Sequence, residues 1–442
     1  MLGEYRITGS RASTIAADIE GAVGSGALHP GAALPPLREL AAELDVNPNT
    51  VAAAYRLLRD RGVIETAGRR GSRVRSRPAT APRDEIRIDV PPGVRDLSTG
   101  NPDPALLPSL TAALAAAAHH AQVPVLYGGP PVDAELLRLA RAGLDADGVP
   151  DGPIGLTSGS LDAIERVLAA HLRPGDAVAV EDPGWSGLLD LVPAMGLRAV
   201  PVAVDDDGPL AAEVARALRA GVRALIVTDR GQNPTGAALS ASRAAELRAL
   251  LAAHRHVLVI DDDHVHGLVD LPLHCLSGVT DHWALVRSTA KAYGPDLRLA
   301  LCTGDAVTLD RVGGRHRLGA GWVSQLLQRA VVHLWQAGAV DPAATARAYG
   351  ERREALLRAL GDRGVLARGR SGMNLWVPVP DETGAVAGLL QRGWAVAPGA
   401  RFRVRSAPGV RITVSPLAAA DIEPLADAVA AVLRLAATGR SN

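Results

Sequence analysis

At 442 residues the chain is long enough for two to four domains, and 48% hydrophobic with 21% charged residues suits a large packed core. Its formal net charge of zero excludes a polyelectrolyte, so any nucleic-acid contact must come from a local patch. Two cysteines, Cys275 and Cys302, exclude a disulfide framework and a cysteine-rich metal site. No metal is expected, no secretory or membrane-spanning segment is visible, and the expected location is cytoplasmic.

The first clear element is "LRELAAEL", where Leu37, Leu40, Ala41 and Leu44 fall at i, i+3, i+4 and i+7 and predict one buried helical face. "DVN" turns the chain, Asn47 suits an N-cap, and Pro48 suits the first helical position, where no N–H bond is lost. The next helix is expected to bury Val51, Ala54 and Leu58, with Asn49, Thr50 and Tyr55 on or near its other faces. Two short helices across a tight turn make a helix-turn-helix, whose second helix enters the major groove amino-end first. "GVIETAGRRGSRV" reads as a two-stranded wing with Arg69, Arg70 and Gly71 at its tip. Residues 56–77 hold eight arginines against Asp60 and Glu65, a footprint for phosphates on a neutral protein.

The stretch "SGALHPGAALPPLRELAAELDVNPNTVAAAYRLLRDRGVI" resembles the GntR-family winged helix, with Pro36 where a capping Ser is usual. The resemblance implies that Arg38, Thr50, Arg70 and Gly71 contact double-stranded operator DNA. Asn47, Asn49, Tyr55 and Arg69 complete the candidate DNA-facing set.

Proline and charge then replace hydrophobic periodicity in "SRPATAPRDEIRIDVPPGVR", which reads as a linker. The expected organisation is a DNA-binding domain at 1–78, a linker at 79–95 and a second domain at 96–442. In the second domain short apolar runs ("DAVAV", "ALIVT", "HVLVID", "LALCTG") alternate with helical stretches. That alternation predicts α/β architecture with a largely parallel sheet. From about residue 345, "GMNLWVPV", "WAVAPG" and "VRITVS" suggest a smaller α+β lobe.

Along this domain lie "LYGGP", "LTSGSLDAIERVL", "EDPGWSG", "DRGQNPTG", "VLVIDDDHVHG", "STAKAYGPDLR" and "GVRITVS". "LTSGSLDAIERVL" is a strand end, a glycine turn and a helix start, so Gly159, Ser160 and Leu161 form a candidate anion cup. The strand ending in Asp261, Asp262 and Asp263 carries more acid than is comfortable unless one meets a cation. Lys291 is the only lysine; the other 46 basic residues are arginine. A guanidinium is effectively never deprotonated, whereas a lysine amine can lose its proton and attack a carbonyl. A position that keeps Lys in such a chain is a candidate for imine chemistry.

In this order the motifs resemble the type I aminotransferase fold, which binds pyridoxal 5'-phosphate. The resemblance implies an internal imine at Lys291, with Asp262 on the pyridine nitrogen; Asp261 and Asp263 are open alternatives. It implies Asn233 on the ring oxygen, Trp185 stacked on the ring, and phosphate ligands from Gly159, Ser160, Leu161, Ser288 and Arg298. His264 stands where tyrosine is usual; it could donate to the ring oxygen, but its different acidity argues against efficient transamination. Tyr127 matches a residue that reaches the partner subunit's phosphate, implying a homodimer with shared sites, and Arg411 matches the holder of an amino acid's α-carboxylate.

A GntR winged helix joined to such a domain is the layout of the MocR subfamily of transcription regulators, and "DDDH", "STAKAYGPDLR" and "GWVSQLLQ" resemble its branch linked to vitamin B6 salvage. The expected function is a regulator that senses pyridoxal phosphate or a small amino compound. The alternative is a metabolic aminotransferase with a DNA-binding appendage.

Overall fold

The computed structural model describes residues 5–25, 27–29, 31–60, 63–66, 71–74, 83, 89–120 and 125–438. The chain forms two compact units: Met1–Pro82 with the segments Leu172–Ala177 and Asp190–Ala199, and the remainder.

The N-terminal unit contains α1 (Ala12–Ser25), α2 (Leu37–Glu43), α3 (Pro48–Asp60), β1 (Ile64–Thr66) and β2 (Ser72–Val74). Its core joins Ile15 and Ile19 of α1 to Leu40 of α2 and to Val51, Ala54 and Leu58 of α3. The antiparallel β1–β2 pair is the expected wing, in register Ile64↔Val74 to Thr66↔Ser72. Helix α1 was not anticipated, although Ile15, Ile19 and Ala22 share one helical face. Asp18 on its other side ties down the preceding segment, accepting from Thr8 N at 3.0 Å and Tyr5 Oη at 2.9 Å.

Two expectations here need correction. Leu37 is 39% exposed rather than buried, and Leu44 is half-buried. Leu37 is the first residue of α2, and a helical side chain tilts towards the N-terminus, where no preceding turn stands for it to cover. Tyr55 is 1% exposed, and its hydroxyl donates to Pro35 O at 2.9 Å. It lies four residues after Val51 and three before Leu58, so helical spacing itself puts it on the core face.

The large unit opens with β3 (Arg95–Leu97). Its main sheet comprises β4 (Ile154–Thr157), β5 (Ala177–Asp182), β6 (Arg198–Asp205), β7 (Gly208–Pro209), β8 (Ala224–Thr228), β9 (Leu258–Asp263), β10 (Trp283–Ser288) and β11 (Ala300–Gly304). The strand order is β4-β11-β10-β9-β8-β5-β6-β7. Strands β5, β8, β9 and β10 run parallel, whereas β11 is antiparallel to both neighbours. The parallel strands are buried along their whole length, as helices on both faces require. Their carboxyl ends bring Asp182, Thr228, Asp262 and Ser288 to one edge, where α/β sheets bind ligands.

The smaller lobe is a four-stranded sheet of β12 (Asn374–Pro378), β13 (Trp394–Pro398) and β14 (Gly409–Thr413) with β3, in the order β12-β14-β13-β3. Strand β3 pairs parallel with β13 from Arg95↔Trp394 to Leu97↔Val396. Arg95, expected to close the linker, is therefore already inside a sheet. Three residues with one strong apolar position carry too little pattern to reveal such a distant partner.

Candidate functional site

Along β9 the pleat sends Asp262 to the face opposite Asp261 and Asp263, because successive side chains point to opposite faces. Asp263 meets two guanidiniums, Arg230 at 2.8 Å and Arg287 at 2.9 Å. Burial alone would raise its pKa, but those arginines and His266 hold it down at about 2. Arg287 also reaches Asp147, so the Asp147–Asp263–His266 group, which has the makeup of a cation site, is already neutralised by arginine. Burial pushes His266 down to about 4, with Arg287 adding to the effect. Asp261 accepts from Leu276 N at 2.9 Å and Ser277 Oγ at 2.5 Å. Beside it Asp229 is buried with neither oxygen meeting a donor; burial and its acidic neighbours raise it far above the usual carboxylate range. One proton shared by Asp229 and Asp261 accounts for this pair.

Asp262 is left. It is buried, its Oδ1 has no hydrogen-bond partner, and its Oδ2 lies 3.3 Å from His264 Nδ1 without the alignment of a hydrogen bond. Of the three aspartates it is the one with an oxygen that meets no hydrogen-bond partner.

A cleft of about 310 Å³ is lined by Gly159, Ser160, Leu161, Trp185, Asn233, His264, Ser288, Lys291 and Arg298. Lys291 sits on a single helical turn, Ala290–Tyr293, directly after β10, and its Nζ donates to Gly100 O at 2.5 Å. Arg298 follows in the left-handed region at φ 45°, donating to the Ser158 carbonyl. Gly159 has φ +108°, and a Cβ there would lie 2.7 Å from Arg298 Nη2. Only glycine leaves this cradle open. It stands at the amino end of the helix Ser160–His171, and Ser160 Oγ in the first turn is buried without a partner. Asn233 Oδ1 accepts from Arg411 Nη1 at 3.0 Å, which leaves its amide nitrogen as the group to donate elsewhere. Trp185 packs over Gly187, where a Cβ would meet the indole at 3.1 Å.

The structure thus brings Gly159, Ser160, Leu161, Trp185, Asn233, His264, Ser288, Lys291 and Arg298 around a single cleft, with Asp262 outside its lining but 3.3 Å from His264. Tyr127, expected to act across a dimer, is 92% exposed and edge-on to Trp322 at 5.6 Å, away from that cleft. Sequence reasoning missed the supporting shell: Arg230, Arg287, Asp229 and Glu181. Glu181 is buried and accepts from Thr228 N at 3.1 Å and Thr228 Oγ1 at 2.8 Å. Burial pushes it up to about 7 despite those bonds. The surplus of acid in "DDDH" was the available signal for the shell; its cations lay far off in sequence.

In the N-terminal unit, Asn47 Oδ1 accepts from Asn49 N at 2.9 Å, so its oxygen caps α3. Pro36 makes no side-chain cap on α2, as its ring predicts. Arg38 and Asn49 are exposed, Thr50 is half-buried, and Gly71 opens β2 at φ +77°. Tyr55 is core and leaves the DNA-facing set. Arg69 and Arg70 lie outside the described residues.

Residues 92–429 match the aminotransferase class I and II family, and residues 11–74 match the bacterial regulatory proteins of the gntR family. The chain belongs to the MocR-type transcription regulators, DNA-binding proteins in which a GntR winged helix precedes an aminotransferase domain. Over 95% of its length it is 41% identical to the vitamin B6 salvage pathway transcriptional repressor PtsJ of Salmonella typhimurium, covering 98% of that protein. It is 30% identical to the pyridoxine biosynthesis transcriptional regulator PdxR of Corynebacterium glutamicum over 57% of this chain and 56% of that one. The multiple substrate aminotransferase of Thermococcus profundus superposes with a TM-score of 0.72 at 20% identity, over 79% of this chain and 93% of that one. LysN of Thermus thermophilus, solved with N-(5'-phosphopyridoxyl)-L-leucine, gives 0.68 at 22% identity, over 81% and 97%. These two likenesses establish the type I aminotransferase fold. Among the described residues no helix is long and apolar enough to cross a membrane.

Proposed function

We propose that this regulator binds pyridoxal 5'-phosphate in the Lys291 cleft and that cofactor state, alone or with an amino effector, changes its grip on operator DNA. The observation that carries the reading is that the one lysine of an arginine-rich chain lines the cleft that also holds Gly159, Asn233 and His264. The residues fit the group: an open glycine cradle, an unpartnered Ser160 hydroxyl and an unpartnered oxygen on buried Asp262. When bound, the cofactor supplies an aldehyde that an amine can take up and a ring that draws electrons from atoms joined to it.

Lys291 would carry the covalent link, and Asp262 would keep a proton on the ring nitrogen. Asn233 would donate to the ring oxygen beside His264, with Trp185 against the ring. Gly159, Ser160, Leu161, Ser288 and Arg298 would hold the phosphate, a guanidinium serving as a bidentate grip. Arg411 would take the carboxylate of an amino effector, and Tyr127 would reach the other protomer's site in a homodimer. Residues 1–78 would bind the operator, joined by the segment that ends before Arg95 to the sensing domain, in the cytoplasm. With His264 in place of a phenol, turnover as an aminotransferase would be slow or absent.

Borohydride treatment should fix cofactor to a peptide containing Lys291, and Lys291→Arg should lose both the visible band and the fixed label while remaining folded. An unchanged band in Lys291→Arg ends the reading, because no other lysine exists to replace it. Operator titrations of apo, loaded and Lys291→Ala protein should differ, and operator should shift cofactor affinity by the same factor. Rapid turnover with identical operator affinity in all forms would favour a metabolic aminotransferase.

A further inference from the structure

One face of α3 is fully committed to the core: Val51, Ala54, Tyr55 and Leu58 are each at most 1% exposed. At about 100° of turn per residue, the row directly opposite runs through Asn49, Ala53 and Arg56. Asn49 and Arg56 are exposed, and Ala53 is half-buried with Ala52 beside it. Thr50 falls about a quarter-turn to the side of this row. Asn47 Oδ1 meets the Asn49 N–H at 2.9 Å, so the helix start is capped without the Asn49 side-chain amide.

A helix face turned only to water normally concentrates charge of both signs. This one does not. The acid of α3, Asp60, comes last, a turn beyond Arg56, and the centre of the row is alanine. The acids of the preceding helix, Glu39 and Glu43, are on α2. A row without a carboxylate over its first two turns can approach phosphates without repulsion. An alanine at its centre lets the helix backbone come close to the floor of a groove.

Side chains at this i, i+4, i+7 spacing meet three successive bases when a zinc-finger helix lies in the major groove. In that groove an Asn amide pairs with adenine N6 and N7, and an Arg guanidinium with guanine O6 and N7; an Ala methyl packs on the thymine methyl. We propose that Asn49, Ala53 and Arg56 read three successive base pairs of the operator: an adenine, a thymine methyl and a guanine, in that order along the helix. Thr50, off the row, touches the phosphate backbone beside them. Ala53 and Arg56 are then residues that determine sequence specificity together with Asn49. This rests on the reading above that residues 1–78 bind the operator, and it adds the bases that they read.

The test is selection by the full-length protein from double-stranded oligonucleotides of random sequence at fixed salt, followed by anisotropy titrations of the selected site. That site should hold an A·T pair and a G·C pair on either side of a pair that presents a thymine methyl. Asn49→Ala should lose discrimination at the A·T pair and Arg56→Ala at the G·C pair, each by about five-fold or more, with the other two positions unchanged. Deoxyuridine in place of the middle thymine removes one methyl group, which should weaken wild-type binding about four-fold and leave Ala53→Gly unaffected. Thr50→Ala should weaken every sequence alike. Thermal melts run beside the titrations, and the deoxyuridine arm on wild-type protein needs no substitution in the chain. A selected site without that trio, a uniform loss across all sequences in Asn49→Ala and Arg56→Ala, unchanged discrimination in both, or no deoxyuridine penalty overturns the proposal and leaves operator binding by residues 1–78 standing. A wild-type protein that selects no sequence at all removes both.

Discussion

Replacing Gly159 by alanine should damage the cleft in two ways that are measured separately. At φ +108° a Cβ-bearing residue is strained, which costs about 1–3 kcal/mol of folding stability. The new Cβ would also lie 2.7 Å from Arg298 Nη2 and 3.2 Å from its Cζ, so the guanidinium must leave the cradle. Arg298 is exposed and can swing outward, so this second effect falls on the ligand rather than on the fold. A lost charge-assisted hydrogen bond is worth about 1.5–3 kcal/mol, or roughly 10–150-fold in cofactor affinity. The assay is a pyridoxal phosphate titration followed by absorbance, beside thermal melts of the cofactor-free protein. Gly143→Ala is the control: it lies inside the helix Ala134–Ala146, a Cβ there meets nothing within 4 Å, and stability should hold or rise by about 0.5–1 kcal/mol. Cofactor affinity within two-fold of wild type in Gly159→Ala would refute the cradle.

Three further outcomes are expected. Arg287→Ala leaves Asp263 fully buried with Arg230 as its remaining guanidinium, and should cost about 3–5 kcal/mol in denaturant unfolding. Asp263 titrates at about 2 against an ordinary 3.8, so its contribution is present above pH ~4 and fades as pH falls through 2. In the variant the folded-state value rises, so Asp263's share of that acid loss should shrink and be complete at a higher pH, and an unchanged acid limb would contradict the network. Tyr55→Phe should cost about 1 kcal/mol through the lost bond to Pro35 O while leaving operator affinity of the folded protein unchanged; a large affinity loss at full stability would restore Tyr55 to the DNA-facing set. Arg38→Ala should weaken operator binding by about 1–3 kcal/mol if it contacts a base edge, read by anisotropy at two salt concentrations, and equal binding at both would remove Arg38 from the interface.

Sequence alone determined what depends on residue type and short-range order. A solitary lysine among 46 arginines, Asn47–Pro48 opening a helix, and buried runs such as "ALIVT" carry their meaning locally. Chemistry at Lys291 needs an amine, a cap needs a short polar side chain before a proline, and a strand buried on both faces needs an unbroken apolar run. What tertiary structure decided was partnership between distant residues. Nothing in "DDDH" distinguishes its acids until β9 is placed between β8 and β10. The pleat then sends Asp263 to Arg230 and Arg287 and sets Asp261 beside Asp229, leaving Asp262 with an oxygen in reserve. Likewise β3 joins a strand about 300 residues away, and Arg401 comes to share a phenyl ring with Arg411. The burial of Tyr55 is legible in its spacing from Val51 and Leu58, whereas its polar tip alone suggests exposure. Charge and hydrogen-bonding capacity can be counted in a sequence, but which groups spend them on each other is set by the distances that folding creates.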